Sequence, residues 1–304
     1  MASSPSYPVV RDLRVAELLE SPRYEVIPVR GIEDKVAMLP AGSRVTVTAS
    51  PGHGQARTIE VAESLAASGY EVIPHLAARM VSGRSELAGW AERLAAAGVH
   101  EAFVVGGDAS PPAGPYQDAG DLLDELAGIP HPFTRIGIGG YPEGHPLIAD
   151  DKLLEALLRK QQYADQIVTQ LCFDAGALID WVRAIRAEGI DLPVVVGLPG
   201  VVERRKLAEI SLKTGVGASL RYLRKHGRQL AALSRSRRYD PTPLVRSIAD
   251  GVDRSARGSA GDRPRGLAED LGVGGADLGI RGAHLFTFNQ VEPTHDWVHG
   301  VTGA

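Results

Sequence analysis

The sequence is poor in the features that mark secreted, membrane-spanning and nucleic-acid-binding proteins. It has one cysteine, Cys172, in 304 residues, which excludes an intrachain disulfide and fits a reducing, cytoplasmic compartment. No apolar run is long enough for a membrane span, and the start of the chain lacks a basic-then-apolar signal. The net charge of −4 provides no global basic field, so neither nucleic acid nor an acidic membrane is expected as a partner.

Several common site motifs are also missing. No Gly-x-Ser-x-Gly nucleophile elbow or P-loop occurs, and the glycines after residue 138 do not form a dinucleotide fingerprint that opens a helix. The histidines are scattered without metal-ligand spacing, so no metal site is predicted. Cys172 has no neighbour that would activate a thiol and is expected to be a small buried residue.

What the chain does contain is a series of eight apolar, strand-like runs, most of them separated by helical patterns. They lie at about 24–29, 44–48, 71–74, 101–105, 134–139, 166–171, 192–196 and 284–289. Six of them end in polar residues. This pattern predicts one α/β domain over residues 1–304, a (β/α)8 TIM barrel with its active site at the carboxyl ends of the strands.

Additions to the barrel are predicted at both ends of the chain. Residues 12–20 form an opening helix by their apolar spacing, and residues 1–9 are expected to be disordered. Extra helices, among them 220–233 and 243–252, are expected between strands seven and eight. The polar, breaker-rich stretch 254–265 is predicted to be a mobile loop.

Three strand ends carry side chains suited to chemistry. Glu25 lies in an apolar strand; if it points into the barrel, burial favours its protonated form and suits it to act as an acid, whereas outside it would pair with a helix cation. Asp108 follows two glycines and could bond a ring N–H or cap a helix. Gln170 ends strand six, where an amide can read the donors and acceptors of a heterocycle.

The loop after strand five is rich in constrained residues. Tyr141 in this loop could stack on a ring, and His145 could bond a phosphate or a hydroxyl. A purely structural turn is the alternative. The choice between them depends on what else the chain brings to the same end of the barrel.

Eight pieces of the sequence, in this order, resemble the methylenetetrahydrofolate reductase family. Two are the most specific: Gly140-Tyr141-Pro142-Glu143-Gly144-His145-Pro146 and Thr169-Gln170-Leu171-Cys172-Phe173-Asp174. The others are Tyr24-Glu25-Val26-Ile27-Pro28, Val45-Thr46-Val47-Thr48, Pro74-His75-Leu76, Gly107-Asp108, Gly197-Leu198-Pro199 and His284-Leu285-Phe286-Thr287-Phe288-Asn289.

The resemblance implies the reduction of 5,10-methylenetetrahydrofolate to 5-methyltetrahydrofolate by a reduced nicotinamide. Glu25 would protonate N10 of the folate, and Asp108 would bond the pterin edge and favour the developing cation. Substrate-binding residues would be Gln170, Phe173, Phe286 and Asn289. Cofactor-binding residues would be Thr48, His75, Tyr141, His145 and Lys160.

The departures from the family pattern fall on the flavin side. The segment Val105-Gly106-Gly107-Asp108 lacks the arginine that commonly holds flavin phosphates, and the aspartate expected before Lys160 falls on an apolar residue near Leu153–Leu154. FAD is therefore expected to be absent or weakly bound, with hydride passing directly from NADH; NADPH and the oligomeric state stay open. The alternatives are an FAD-dependent reductase and a folate-dependent one-carbon transferase, against which the surviving Glu25 argues.

Overall fold

The protein is built around a closed barrel of eight parallel strands in sequence order, β1 to β8. The computed structural model describes residues 13–203, 238–261 and 277–303. The strands are β1 (Arg23–Val26), β2 (Arg44–Val47), β3 (Glu71–Ala77), β4 (Glu101–Val105), β5 (Arg135–Gly140), β6 (Gln166–Thr169), β7 (Val194–Pro199) and β8 (Ile280–Phe286). The predicted α/β fold, a TIM barrel, is confirmed.

Helices surround the barrel and alternate with its strands. Within the described ranges they are α1 (Leu13–Leu19), α2 (Ile32–Val36), α3 (Gly54–Ala67), α4 (Arg84–Ala96), α5 (Ala119–Leu126), α6 (Asp150–Lys160), α7 (Ala175–Ala187), α8 (Thr242–Gly261) and α9 (Val291–Thr302), with 3-10 turns at Ala78–Met80 and Gln161–Tyr163. Over these same ranges, no helix has both the length and the apolar character needed to cross a bilayer.

A polar network closes the amino-terminal end of the barrel. Arg23, Glu101 and Gln166 are the first residues of β1, β4 and β6. An Arg23 Nη2 atom lies 2.6 Å from Gln166 Oε1 and 3.0 Å from Glu101 Oε1, and Gln166 Nε2 donates to the same Glu101 oxygen at 2.6 Å. These contacts join strands that are not neighbours, so they fill the barrel interior at the end away from the expected site.

Above this network the interior contains an apolar cluster. Ile73, Phe103, Val168 and Val195 form a cluster contributed by β3, β4, β6 and β7. Gly137 of β5 leaves room for it, because a Cβ there would lie 3.3 Å from the Phe103 ring and 3.4 Å from a Val168 methyl. A larger cluster outside the barrel packs the strands against the helices.

Two boundary predictions are corrected by the structure. Residues 254–261, predicted as part of a mobile loop over 254–265, continue helix α8. Serine, alanine and arginine are compatible with a helix, and Ser255 Oγ accepts a hydrogen bond from Arg183 of α7 at 2.7 Å. Strand β8 covers 280–286 rather than 284–289, because Phe288 and Asn289 turn out of the strand with φ of 49° and 62°.

The rest of the predicted loop, residues 262–265, lies outside the described residues, as do residues 1–9 and the predicted helix at 220–233. The predicted opening helix is confirmed as α1, which packs against β8, α8 and α9. The predicted helix at 243–252 is confirmed within α8.

Candidate active site

Glu25 is the central polar residue of the barrel interior. It is the third residue of β1 and only 8% exposed. Its Oε2 atom lies 2.9 Å from His284 Nε2 on β8 and 3.7 Å from His75 Nε2 on β3. Strands β1 and β3 are not neighbours, so their side chains can approach this closely only across the barrel interior. Glu25 therefore points into the barrel, which is the first of the two orientations considered from the sequence.

His75 faces the Glu25 carboxylate as a neutral imidazole. Burial lowers the pKa of His75 to about 4, although the charge of Glu25 opposes that shift. Its Nε2 atom is buried and makes no hydrogen bond within the described part of the chain. Phe103 packs its ring edge-on at a centroid distance of 4.7 Å, which fixes the imidazole plane.

Sequence reasoning missed His284, the direct partner of Glu25. It is 1% exposed, and its ring packs edge-on against Phe286 at 4.9 Å. The alternation of β8 was the available signal, because His284 and Phe286 are two residues apart and share a face of the strand. Only the second of them was singled out.

Glu25, His75 and His284 together form a carboxylate–imidazole cluster whose ligand atoms all lie within 4.8 Å of one another. Such a set can hold a divalent ion. Spacing along the sequence could not reveal it, because each residue comes from a different strand. His295 and His299, by contrast, do lie one helical turn apart on α9, a chelating spacing that the sequence analysis overlooked.

Three predicted cofactor-binding residues meet around one cavity of about 1030 Å³. Tyr141 and His145 come from the loop after β5, and their rings pack at right angles with centroids 5.3 Å apart. Lys160 comes from the end of α6. The other two, Thr48 and His75, do not line this cavity.

Lys160 is a buried cation without a direct partner in the described structure. It is 9% exposed, and burial lowers its pKa to about 8, with Asp118 opposing the shift from a distance. No hydrogen bond or ion pair to it forms among those residues. An ammonium kept in this state, beside a large cavity, is suited to bind an anion.

Asp108 follows β4 and is exposed. Burial raises the pKa of Tyr141, and the charge of Asp108 adds to the rise. The same charge opposes the lowering of the pKa of His145 by burial. Asp108 therefore faces the Tyr141–His145 loop, and it makes no hydrogen bond or ion pair within the described ranges.

Three of the predicted substrate-binding residues are one amide, Gln170, and two aromatic side chains, Phe286 and Phe173. Gln170 Oε1 accepts from the Leu171 N–H at 2.8 Å, which leaves its amide nitrogen without a partner in the described ranges. Phe286 is half-buried beside His284. Phe173 packs into a small apolar cluster with Leu171, Val202 and Phe288.

Asn289 has a structural contact on both sides of its amide. Its Oδ1 accepts from the Ile27 N–H at 2.8 Å, and its Nδ2 donates to the Ile27 carbonyl at 3.1 Å. The side chain thus ties the turn after β8 to the end of β1. The oxygen keeps a second lone pair and the nitrogen a second N–H, so the contact with substrate stays a prediction.

Glu143 is a second residue that sequence reasoning left without a role. Its Oε1 atom accepts from the backbone N–H groups of Phe173 at 2.5 Å and Asp174 at 3.0 Å. Asp174 in turn caps α7 by accepting from Gly176 and Ala177. The loops after β5 and β6 are joined through this carboxylate.

The glycines before Asp108 differ in what they require. Gly107 has a φ of 81°, and a Cβ there would lie 2.9 Å from the Cβ of Ala77, so glycine is needed. Gly106 lines the Lys160 cavity and a Cβ there would meet nothing within 4 Å.

Cys172 is buried, and burial raises its pKa, which agrees with the predicted unreactive thiol.

Comparison with known proteins identifies the family of the chain. A family model described as methylenetetrahydrofolate reductase matches residues 29–216. Methylenetetrahydrofolate reductase 2 of Saccharomyces cerevisiae is 33% identical over 93 residues, which make up 29% of this chain and 16% of the yeast protein. Methylenetetrahydrofolate reductase 1 of Schizosaccharomyces pombe is 40% identical over 87 residues, 27% of this chain and 14% of that protein. The match thus spans a small part of these relatives.

A solved structure shares the fold over nearly the whole length. It is an uncharacterized protein from Clostridium thermocellum that binds two copies of 5-methyl-5,6,7,8-tetrahydrofolic acid, with a TM-score of 0.58, 11% identity, and coverage of 93% of this chain and 96% of that chain. At this identity the likeness concerns the fold alone. Because the family model covers more than half of the chain, the protein belongs to the methylenetetrahydrofolate reductase family.

Proposed function

We propose that the protein reduces 5,10-methylenetetrahydrofolate to 5-methyltetrahydrofolate, with a reduced nicotinamide as the hydride donor. Family membership supports the reaction class. The observation that carries the assignment to this site is the buried Glu25 carboxylate, held inside the barrel by His284 at 2.9 Å.

Glu25 acts as the general acid in this proposal. It transfers a proton to N10 of the folate, the bond between N10 and the bridging carbon breaks, and a 5-iminium cation forms. Hydride from carbon 4 of the nicotinamide then adds to the exocyclic carbon and completes the methyl group. Glu25 regains its proton from solvent, so each turnover consumes one proton and one hydride.

The neighbours of Glu25 have supporting roles. The His284 ring orients the carboxylate, and the neutral His75 ring adds no positive charge that would hold it ionised. Asp108 favours the developing iminium cation, and the unpaired amide nitrogen of Gln170 bonds the pterin ring. Catalysis then rests on holding two ligands in contact, which can contribute several kcal/mol, roughly 7–11 in well-oriented intramolecular systems.

Direct transfer from the nicotinamide is the second part of the proposal. Gly106 lines the cavity and has no side chain, in a segment where the family commonly has an arginine. Leu153 and Leu154 also line the cavity, in the part of the helix where the family pattern has an aspartate. In this account Tyr141, His145 and Lys160 bind the nicotinamide nucleotide, with NADH preferred. Lys160 supplies the cation for its phosphates.

The rival is an FAD-dependent reductase with altered contacts. The same buried cation favours it, because a flavin dinucleotide also carries two phosphates. The absorption spectrum of the purified protein, with turnover measured before and after adding FAD, separates the two. A colourless protein whose turnover is unchanged by FAD supports direct transfer. A stoichiometric yellow chromophore, or activity that needs FAD, rules it out.

A further inference from the structure

We propose that Glu25, His75 and His284 bind a late first-row divalent metal ion, of the Zn²⁺ class, in the folate-free enzyme. The ion competes with the folate, because it occupies the carboxylate that must carry the proton. The competition rests on the proposed function, whereas the binding does not.

The separations between the three side chains suit such an ion. Glu25 Oε2 lies 2.9 Å from His284 Nε2 and 3.7 Å from His75 Nε2, and the three ligand atoms all lie within 4.8 Å of one another. Neighbouring ligand atoms around Zn²⁺ are separated by about 3.0–3.4 Å when the bonds are about 2.0–2.1 Å long. The Glu25–His284 and Glu25–His75 separations are within about half an ångström of these values, whereas the two imidazole nitrogens, up to 4.8 Å apart, must approach each other by as much as about 1.5 Å.

The donor set selects the class of metal. Two imidazoles and one carboxylate are typical of Zn²⁺, Co²⁺ and similar ions, whereas Mg²⁺ and Ca²⁺ prefer oxygen ligands only. With three protein ligands, one side of the ion stays open for water or substrate. The cluster offers one negative charge, which a divalent ion more than neutralises.

A second observation, besides the distances, points to a ligand: His75 has a buried ring nitrogen without a hydrogen-bond partner in the described residues. This atom, Nε2, is directed at the Glu25 carboxylate. A buried polar nitrogen left unpaired costs free energy, which a metal bond to its lone pair recovers.

The rings are already oriented for ligation. Phe103 packs edge-on against His75 at 4.7 Å, and Phe286 packs edge-on against His284 at 4.9 Å. These contacts restrict rotation of both imidazoles, and all three ligands are at most 8% exposed. Little conformational freedom is lost when an ion binds.

Titration of the full chain with Co²⁺ tests the binding. The titration uses a His295→Gln/His299→Gln background, because that helical pair could chelate Co²⁺ by itself. We expect one equivalent of Co²⁺ to give visible d–d absorption, and Zn²⁺ to displace it. Glu25→Gln, His75→Gln and His284→Gln should each weaken binding by at least about 10-fold.

Circular dichroism and thermal melting identify any ligand variant that fails to fold, and the remaining two then decide the outcome. Substoichiometric absorption, or binding that all folded ligand variants retain, overturns the inference. Added 5-methyltetrahydrofolate should weaken Co²⁺ binding, and Zn²⁺ should raise the KM for methylenetetrahydrofolate in the same background. Simultaneous binding of Co²⁺ and folate overturns the competition.

The two proposals can fail separately. If Glu25→Gln stops turnover and Co²⁺ does not bind, only the metal site is lost. If Co²⁺ binds at the cluster and Glu25→Gln turns over normally, the proposed acid is lost and the site stands.

Discussion

At the scale of single residues, Glu25 carries the proposed chemistry. Glu25→Gln keeps the shape of the side chain and its contact with His284, but an amide cannot supply the ring-opening proton. Turnover should fall by about 100-fold or more, while the Kd for 5-methyltetrahydrofolate changes little. Steady-state kinetics and calorimetric folate binding check this. The same change at the exposed Glu20 is the control. Near-normal turnover of Glu25→Gln removes Glu25 from the mechanism.

Lys160 makes a second prediction at this scale, on stability. Its pKa is lowered from 10.5 to about 8, so between pH 8 and 10.5 the unfolded chain binds more protons than the folded one. The free energy of unfolding should therefore rise with pH through that window. Lys160→Met removes the rise and should stabilise the protein at pH 7, by up to about 3 kcal/mol.

Urea unfolding at pH 7 and at higher pH measures this effect, with Lys35→Met on the exposed surface as the matched control. The same variant should bind NADH more weakly, because the phosphates lose their cation. A Lys160→Met protein that is less stable at pH 7 would show that the ammonium has a partner in the folded state.

At the scale of elements, the turn after β8 determines how β8 meets β1. Asn289→Gly tolerates the φ of 62° but loses both hydrogen bonds to Ile27. We expect a loss of about 1–3 kcal/mol in the free energy of unfolding, measured by urea denaturation. Asn289→Asp keeps the bond to the Ile27 N–H, so its free energy of unfolding should lie between those of the wild type and Asn289→Gly. Equal stability of all three proteins would mean that the hydrogen bonds of Asn289 to Ile27 contribute nothing to stability.

The elements themselves could be predicted from sequence better than their contacts. Apolar runs predicted all eight strands, and the polar residues within or just after them singled out Glu25 and Gln170, whose roles stay predictions. The pairing of Glu25 with His284 was not predictable, because 259 residues separate them and the contact exists only after the barrel closes. The polar composition of 254–261 was misleading, since helix α8 continues through this stretch and Ser255 accepts a hydrogen bond from Arg183 of α7.

At the scale of the whole molecule, the barrel separates its polar groups by height. The Arg23–Glu101–Gln166 network fills the amino-terminal end, and the Glu25 cluster lies further toward the carboxyl ends of the strands. The cavity with Lys160 is lined by the loop after β5 and by helix α6. Family membership and the fold are properties of the whole chain. The route of the hydride depends instead on which ligands bind at the Glu25 cluster and in the Lys160 cavity.

Transfer of deuterium tests the central claim most directly. The purified protein, without added flavin, is given NADH that carries deuterium at both positions of carbon 4 and methylenetetrahydrofolate in ordinary water, and the product is analysed by mass spectrometry. Direct transfer predicts one deuterium in the methyl group of each 5-methyltetrahydrofolate. Because a reduced flavin exchanges its N5 hydrogen with water, a product whose methyl group carries solvent hydrogen instead would contradict the account.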